Sequence, residues 1–301
     1  MTETVATTSS GTVLKNHWKR LRRWNPRAQE AVDWACAQFS PEIQRRGIAR
    51  AYYDFLWTMD ELLKILPSDL SGYRVLDVGC GAGVLALAFR HLGADVTALD
   101  RFDEYEDDYD NQMGSAAEIV ARFERNGITV ARRDLVAEGL PEERGTYDIV
   151  TFFAVIEHLP QSPQKLLKQM HDVLKPGGRV IITTPNHAWI RTRLRLLAGR
   201  SAHHPLNEWW ETPFFGHVRE YTMPEAQAML RWSGFAVEHS ALSSWQHVAS
   251  RIRGRNGSPD EWTTRFTLHS LERWVVGASL ILSAIVPSLR WSMLLVGRKP
   301  K

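Results

Sequence analysis

Val75-Leu76-Asp77-Val78 leads the chain into Gly79-Cys80-Gly81-Ala82-Gly83, and from there into Val84 to Leu92, where apolar residues recur at helical spacing. A short apolar run followed by a glycine-rich turn and a helix is the βα unit of a doubly wound sheet, with the strand buried on both faces. The glycines allow a tight turn and close approach of the backbone to a ligand. The next apolar run, Ala94 to Leu99, closes on Asp100. An acid at that position can accept hydrogen bonds from both ribose hydroxyls, so the expected ligand is a nucleoside.

Asp77 narrows the choice. A dinucleotide pyrophosphate rests on a helix N-terminus after Gly-x-Gly-x-x-Gly, whereas the spacing here is Gly-x-Gly-x-Gly, and a carboxylate at the strand end would repel a phosphate. S-adenosylmethionine carries a sulfonium and an ammonium and no phosphate, so it suits this environment better. A nucleotide-binding dehydrogenase would need the phosphate turn that the chain lacks.

Further along come Arg133-Asp134-Leu135 after a third short strand, Tyr147-Asp148-Ile149-Val150-Thr151-Phe152-Phe153 as a fourth, and Val155-Ile156-Glu157-His158-Leu159. Leu174-Lys175-Pro176-Gly177-Gly178 and Arg179 to Asn186 then read as a helix end, a turn and a fifth strand. With the glycine loop and Asp100, these segments resemble the class I, Rossmann-like S-adenosylmethionine-dependent methyltransferases over roughly residues 45 to 240. The resemblance implies an α/β, doubly wound, seven-stranded sheet whose last strand runs antiparallel. It also implies cofactor roles. Gly79, Gly81 and Gly83 would admit the methionine and ribose portions, and Asp77 would order the loop or reach the ammonium. Asp134 would bond the adenine amino group beside Leu135, Arg101 would border the adenosine, and the Phe153 carbonyl would face the ammonium.

Ile48 to Leu66, Ser115 to Asn126 and Ser162 to Leu174 read as helices, the last with Ser162 as N-cap and Pro163 at its first position; Thr222 to Glu225 reads as a capping box opening a fourth. Phe235 to Ser240 and Trp291 to Val296 supply the last two strands. The expected organisation is a tail and basic helical extension over 1–44 and a methyltransferase domain over 45–301. Within that domain, 186–221 is a substrate-cap insertion and 268–289 an apolar C-terminal helix. Its Trp274 to Leu289 stretch is too short to span a bilayer, and its readings are a helix buried on the sheet, a dimer interface or contact with a membrane surface. With 301 residues and a net charge of +3, the chain is long enough for one large core and too weakly basic to imply nucleic acid. No Asn/Asp-Pro-Pro-aromatic motif follows the fourth strand, which argues against DNA. Cys36 and Cys80 form no disulfide framework, so a reduced, cytoplasmic protein is expected, with peripheral contact at the inner face of a membrane left open.

Two histidines are candidate bases for a hydroxyl acceptor, His158 and His217. The alternative for the second is a structural Arg219-Glu220 pair with a capping histidine. Tyr53, Glu157, Trp189, Phe215, Arg219 and Tyr221 are the candidate acceptor contacts. No metal is expected, because the acidic residues from Asp103 to Asp110 lack calcium-loop spacing and His203 and His204 are adjacent. The insertion is rich in aromatic residues and arginines, which suits a lipid-linked or anionic small molecule. The glycine loop, Glu157-His158-Leu159, Thr184-Pro185-Asn186 and the His217-x-Arg219-x-Tyr221 cluster are similar to quinone-biosynthesis and sugar or secondary-metabolite O-methyltransferases. RNA or amine methylation and a non-catalytic cofactor-binding module are the alternatives.

Overall fold

Alternation along the strands sorts their side chains onto two faces, and each face carries its own core. The computed structural model describes residues 23–103, 114–141, 144–203, 206–210, 216–244, 281–283 and 285–301. The strands are β1 (Arg74–Val78), β2 (Asp95–Asp100), β3 (Thr129–Arg132), β4 (Tyr147–Phe153), β5 (Leu174–Pro185), β6 (Ala236–Ser243) and β7 (Ser292–Arg298). They form one sheet in the order β3-β2-β1-β4-β5-β7-β6. The pairs from β3 through β5 are parallel, and β7 runs antiparallel to both β5 and β6, as expected.

On one face Val75, Ile149, Ile181 and Val296 join a core supplied by helices α1 (Pro26–Ala37), α2 (Ala49–Leu62), α3 (Val84–His91) and α4 (Ala116–Arg125). On the other, Leu76, Val150, Ile182 and Leu295 meet α5 (Gln164–Val173) and, beyond two short helices, α8 (Met223–Trp232). Those short helices are α6 (Ile190–Leu197) and α7 (Leu206–Trp210). Each fully buried aliphatic side chain contributes about 1.5–3 kcal/mol, so the two-sided sheet is the main source of stability. Trp24, Val32 and Phe39 lie in the same core as β1, so the stretch just before residue 45 packs on the sheet. Ser115 with Glu118 and Thr222 with Glu225 close reciprocal capping boxes at the starts of α4 and α8.

Two expected helices are trimmed. Ile48 to Leu66 becomes a π-helical turn, Gln44–Ile48, followed by α2, and only turns remain between Leu62 and Pro67. Proline restricts the residue before it and removes an N–H, which ends the helix early. The Ser162 helix begins at Gln164, with Pro163 itself in the cap position and Ser162 Oγ accepting from the Gln164 amide at 3.4 Å. It stops at Val173 because Leu174 is already paired with Tyr147 in the sheet. Of the 268–289 segment, 281–283 and 285–289 fall within the described residues. Ile281, Leu282, Ile285 and Val286 are exposed there, contrary to the buried reading, while Ser283 and Leu289 are buried.

Asn186 ties the end of β5 to the entry of β7. Its buried side chain donates to the carbonyls of Ser288 at 3.1 Å and Arg290 at 2.8 Å and accepts from the Ala188 amide at 3.0 Å. Replacing Asn186 by Ala strands two carbonyls and an amide, and should cost about 2–4 kcal/mol in denaturant unfolding with little change in secondary structure. A loss below about 0.5 kcal/mol would show that solvent replaces these bonds.

Candidate active site

The chain runs from β1 out to β3 and returns at β4, so the crevice beyond the carboxyl ends of β1 and β4 is the topological switch point, where open α/β sheets bind ligands. The glycine loop forms one wall. The amides of Gly79 and Cys80 donate to the Leu99 carbonyl, and the Gly81 amide donates to Asp100 Oδ2 at 2.9 Å. Asp100 Oδ1 accepts from the Arg101 amide at 2.7 Å. Gly83 caps α3 at φ +80°, and a Cβ there would run into the Phe123 ring. Gly81, at φ +50°, has no atom within 4 Å of where a Cβ would sit, so its outer side is open.

Asp77 lies beneath this loop, almost fully buried, and accepts from Thr151 Oγ1 at 2.5 Å across the β1–β4 pair. Burial pushes its carboxyl up to about 7, against the Thr151 hydroxyl, with the charge of Asp100 adding to the rise. Asp134 is on the rim, where its carboxylate accepts from the amides of Val136 at 2.7 Å and Ala137 at 3.0 Å. The Ala137 bond, with the Val136 bond and the charge of Arg101, holds it below the ordinary value against the opposing effect of burial. Leu135 packs on the second core and Phe153, partly buried, on the first. Arg101 is exposed, 3.8 Å from Asp103.

The opposite wall is built by the segment after β4 and by the insertion. Ala154 holds φ +52°, a left-handed conformation costly for a residue with a Cβ, and turns the chain into the short 3₁₀ helix Ile156–His158. Glu157 is 1% exposed, and its side chain accepts from Thr184 Oγ1 at 3.0 Å. Its main-chain carbonyl accepts from the amides of Val218 at 2.8 Å and Arg219 at 3.1 Å, which docks the end of the insertion against the β4 loop. The His158 and His217 rings consequently meet edge to face, 4.9 Å between centroids. Burial raises the Glu157 carboxyl to about 7, against its own backbone amide, the charge of His217 and the Thr184 hydroxyl.

His217 and Glu220 form a pair that the alternative reading misassigned. His217 Nδ1 lies 2.8 Å from Glu220 Oε1, while Arg219 reaches Glu225 at 3.3 Å and stacks over Tyr221. The other Glu220 oxygen is 3.6 Å from His187 Nδ1, so one carboxylate joins two imidazoles. For His217, burial lowers the pKa, but the Glu220 bond and the charges of Glu157 and Glu220 outweigh it and the net shift is upward. For Glu220, burial is outweighed by the His217 bond and by the charges of His217 and His187, and the net shift is downward. Both shifts favour an ion pair. The metal-binding atoms of Glu157, His158 and His217 all lie within 4.8 Å of one another, a grouping that the sequence spacing did not lead us to expect.

The remaining candidates are scattered. Trp189 packs edge to face on Trp291 at 4.5 Å, Tyr221 is buried with its carbonyl accepting from the His187 amide, and Tyr53 is buried against Tyr52. Phe215 lies outside the described residues. Sequence reasoning missed Thr151, His187 and Glu220. Glu220 had a legible signal, an acid three residues after a histidine in one polar cluster; His187 meets it only through the bridge between Asn186 and Tyr221.

Comparison with known proteins agrees with this geometry. Residues 47–240 match a family described as "Methyltransferase domain". Ubiquinone biosynthesis O-methyltransferase of Pseudomonas aeruginosa is 38% identical over 120 residues, 39% of this chain and 46% of that protein. The same enzyme of Pseudomonas syringae is 37% identical over 122 residues, 40% of this chain and 47% of that protein. The chain thus spans about half the length of these relatives. Among solved structures, a putative sarcosine dimethylglycine methyltransferase from Galdieria sulphuraria aligns with TM-score 0.51 at 16% identity, covering 87% of this chain and 91% of that one. Haemonchus contortus phosphoethanolamine N-methyltransferase 2 aligns with TM-score 0.51 at 17% identity, covering 81% and 52%. With the sheet order, the glycine loop and the family match over most of its length, the chain belongs to the methyltransferase-domain family, as a class I protein of the S-adenosylmethionine-dependent kind.

Proposed function

We propose that the protein methylates a hydroxyl of a small molecule, with S-adenosylmethionine as donor and His217 as the base. The observation that carries this reading is the His217–Glu220 pair, held against His158 at the end of β4. When bound, S-adenosylmethionine supplies an electrophilic methyl group. The residues present fit it: a buried carboxylate at Asp77 suits a cation, and Gly81 leaves its outer side clear for a close backbone approach. In this reading Gly79, Gly81, Gly83 and Asp77 hold the methionine portion, and the Phe153 carbonyl faces the ammonium. Asp100 bonds the ribose, Asp134 and Leu135 flank the adenine, and Arg101 borders it.

For the acceptor, His217 acts in its neutral form, populated as pH rises through its raised pKa: Nε2 takes the hydroxyl proton while Glu220 holds Nδ1 and stabilises the imidazolium that forms. Holding the oxygen in line with the methyl supplies much of the remaining acceleration. Glu157 secures the Val218–Arg219 turn and so positions His217 and His158. Tyr53, Trp189, Phe215, Arg219 and Tyr221 shape the acceptor side. The relatives whose names specify O-methylation support a hydroxyl, and the aromatic, arginine-rich insertion supports a lipid-linked or anionic acceptor. Cys36 and Cys80, neither of them in a disulfide, support a reducing, cytoplasmic setting, and among the described residues no helix is long and apolar enough to cross a membrane. A second reading has a divalent cation, shared by Glu157, His158 and His217, binding the acceptor oxygen.

Because a cationic ligand favours ionised Asp77, its binding should expel protons below the raised pKa. Affinity for S-adenosylmethionine should therefore rise with pH up to about 7, then level off. Calorimetry in buffers of different ionisation enthalpy measures that proton release, and Asp77→Asn should abolish it; an unchanged pH dependence in the variant would move the effect to another group.

His217→Ala should lower kcat about 10²–10⁴-fold with S-adenosylmethionine affinity nearly unchanged, and Glu220→Gln should reproduce part of the loss. A parallel fall in cofactor affinity would mean that His217 is structural. Turnover undiminished after dialysis against a chelator supports the base, and a loss restored by added divalent metal supports the cation.

A further inference from the structure

The exposed apolar side chains are not scattered. Apart from Val136 and Trp232, every large hydrophobic residue exposed among the described residues lies either in the insertion or between Ile281 and Val286. In α6, Leu194, Leu196 and Leu197 are exposed, Leu197 at 84%, and Thr192 is the one buried residue of the helix. In α7, Leu206, Trp209 and Trp210 are exposed, and the helix has no buried residue. Helices this short are not stable on propensity alone and depend on packing an apolar face. These two leave theirs in water.

The two segments leave the sheet at one end, beyond the carboxyl end of β5. Asn186, three residues before the cap of α6, bonds the carbonyls of Ser288 and Arg290, and Trp189 packs on Trp291. Both segments thus emerge where β5 ends and β7 begins, beside the docked His217 turn. Charge completes the pattern: α6 carries Arg191, Arg193 and Arg195 with no acid, and Arg200 follows it. Leucines and tryptophans interleaved with arginines suit the boundary between acyl chains and anionic headgroups, where apolar atoms bury and guanidinium groups bind phosphate. A second copy of this chain would bring the same arginines face to face.

We propose that α6, α7 and the Ile281–Val286 segment form one docking surface for an anionic lipid bilayer. The surface rests on the reading of a lipid-linked acceptor and extends it, because docking there would bring the active-site crevice to the plane in which such an acceptor is dissolved. The bilayer is a peripheral partner, and binding needs neither donor nor acceptor.

The test is co-sedimentation of the full chain with vesicles of phosphatidylcholine alone and of phosphatidylcholine with phosphatidylglycerol, at low and high salt. The expected result is binding to the anionic vesicles, at least tenfold weaker on the neutral ones and weakened by salt. Leu196→Asp with Leu197→Asp should reduce binding at least tenfold. So should Arg193→Gln with Arg195→Gln, which leaves the apolar face intact. Thermal unfolding and S-adenosylmethionine affinity should be unchanged in both. Equal binding to both vesicle types, no binding to either, or wild-type binding by the leucine variant overturns the proposal. So does a dimer in light scattering that the leucine variant dissociates. Methyl transfer to extracted lipid, measured separately, tests the acceptor: vesicle binding without lipid methylation removes that reading and leaves the surface standing.

Discussion

A carboxylate buried under the central crossing of the sheet is the constraint on which the cofactor side of the molecule depends. Asp77 sits where β1 and β4 meet, and the Thr151 hydroxyl across the strand pair is the partner that makes its burial tolerable. An unpaired charge in that position would cost several kcal/mol, so the site is held in a state that favours a neutral acid or an incoming cation. The Gly81 amide is drawn down by Asp100 at the same time, which keeps the loop open on its outer side. A preference for a cationic nucleoside over a phosphate is thus present before any ligand arrives.

The proposed acceptor side is assembled differently. Its two histidines come from segments nearly sixty residues apart and meet because the Glu157 carbonyl takes both amides of the Val218–Arg219 turn. Two main-chain bonds, shielded beside a buried carboxylate, tie the two segments together as a disulfide or metal does elsewhere. Glu220 then couples His217 to His187, so the end of β5 and the end of the insertion contribute to one network. The same anchoring at Asn186 leaves α6 and α7 projecting outward with their apolar faces uncovered. The histidine–carboxylate network and the exposed apolar helices therefore share a single structural root.

Much of the cofactor half was readable in the chain. The four-residue apolar run, the glycine spacing and the acids at strand ends are local patterns, and a βα turn is a local structure, so Asp77, Gly81 and Asp100 could be named without coordinates. The seven-stranded sheet and its antiparallel last strand followed from resemblance rather than from periodicity. The misreadings fall where contacts are distant in sequence. Arg219 looked like the partner of Glu220 because they are adjacent, yet neighbouring side chains in an extended segment point apart, and Arg219 turned to Glu225. Ile281, Leu282, Ile285 and Val286 are not buried on the sheet, because composition reports what a segment would prefer, not which surface is left to cover it.

By itself, the sequence determined the sheet's glycine turn, its acidic partners and hence the class of ligand, because each is marked by a short local pattern at the end of an apolar run. Only the tertiary structure decided that His158, His187, His217 and Glu220 belong together, and that the apolar side chains of the insertion and those of Ile281, Leu282, Ile285 and Val286 emerge at one end of the sheet. Those relations depend on which main-chain carbonyl a distant amide finds, and on how much apolar surface the two faces of the sheet can accept. Neither quantity is written in local spacing.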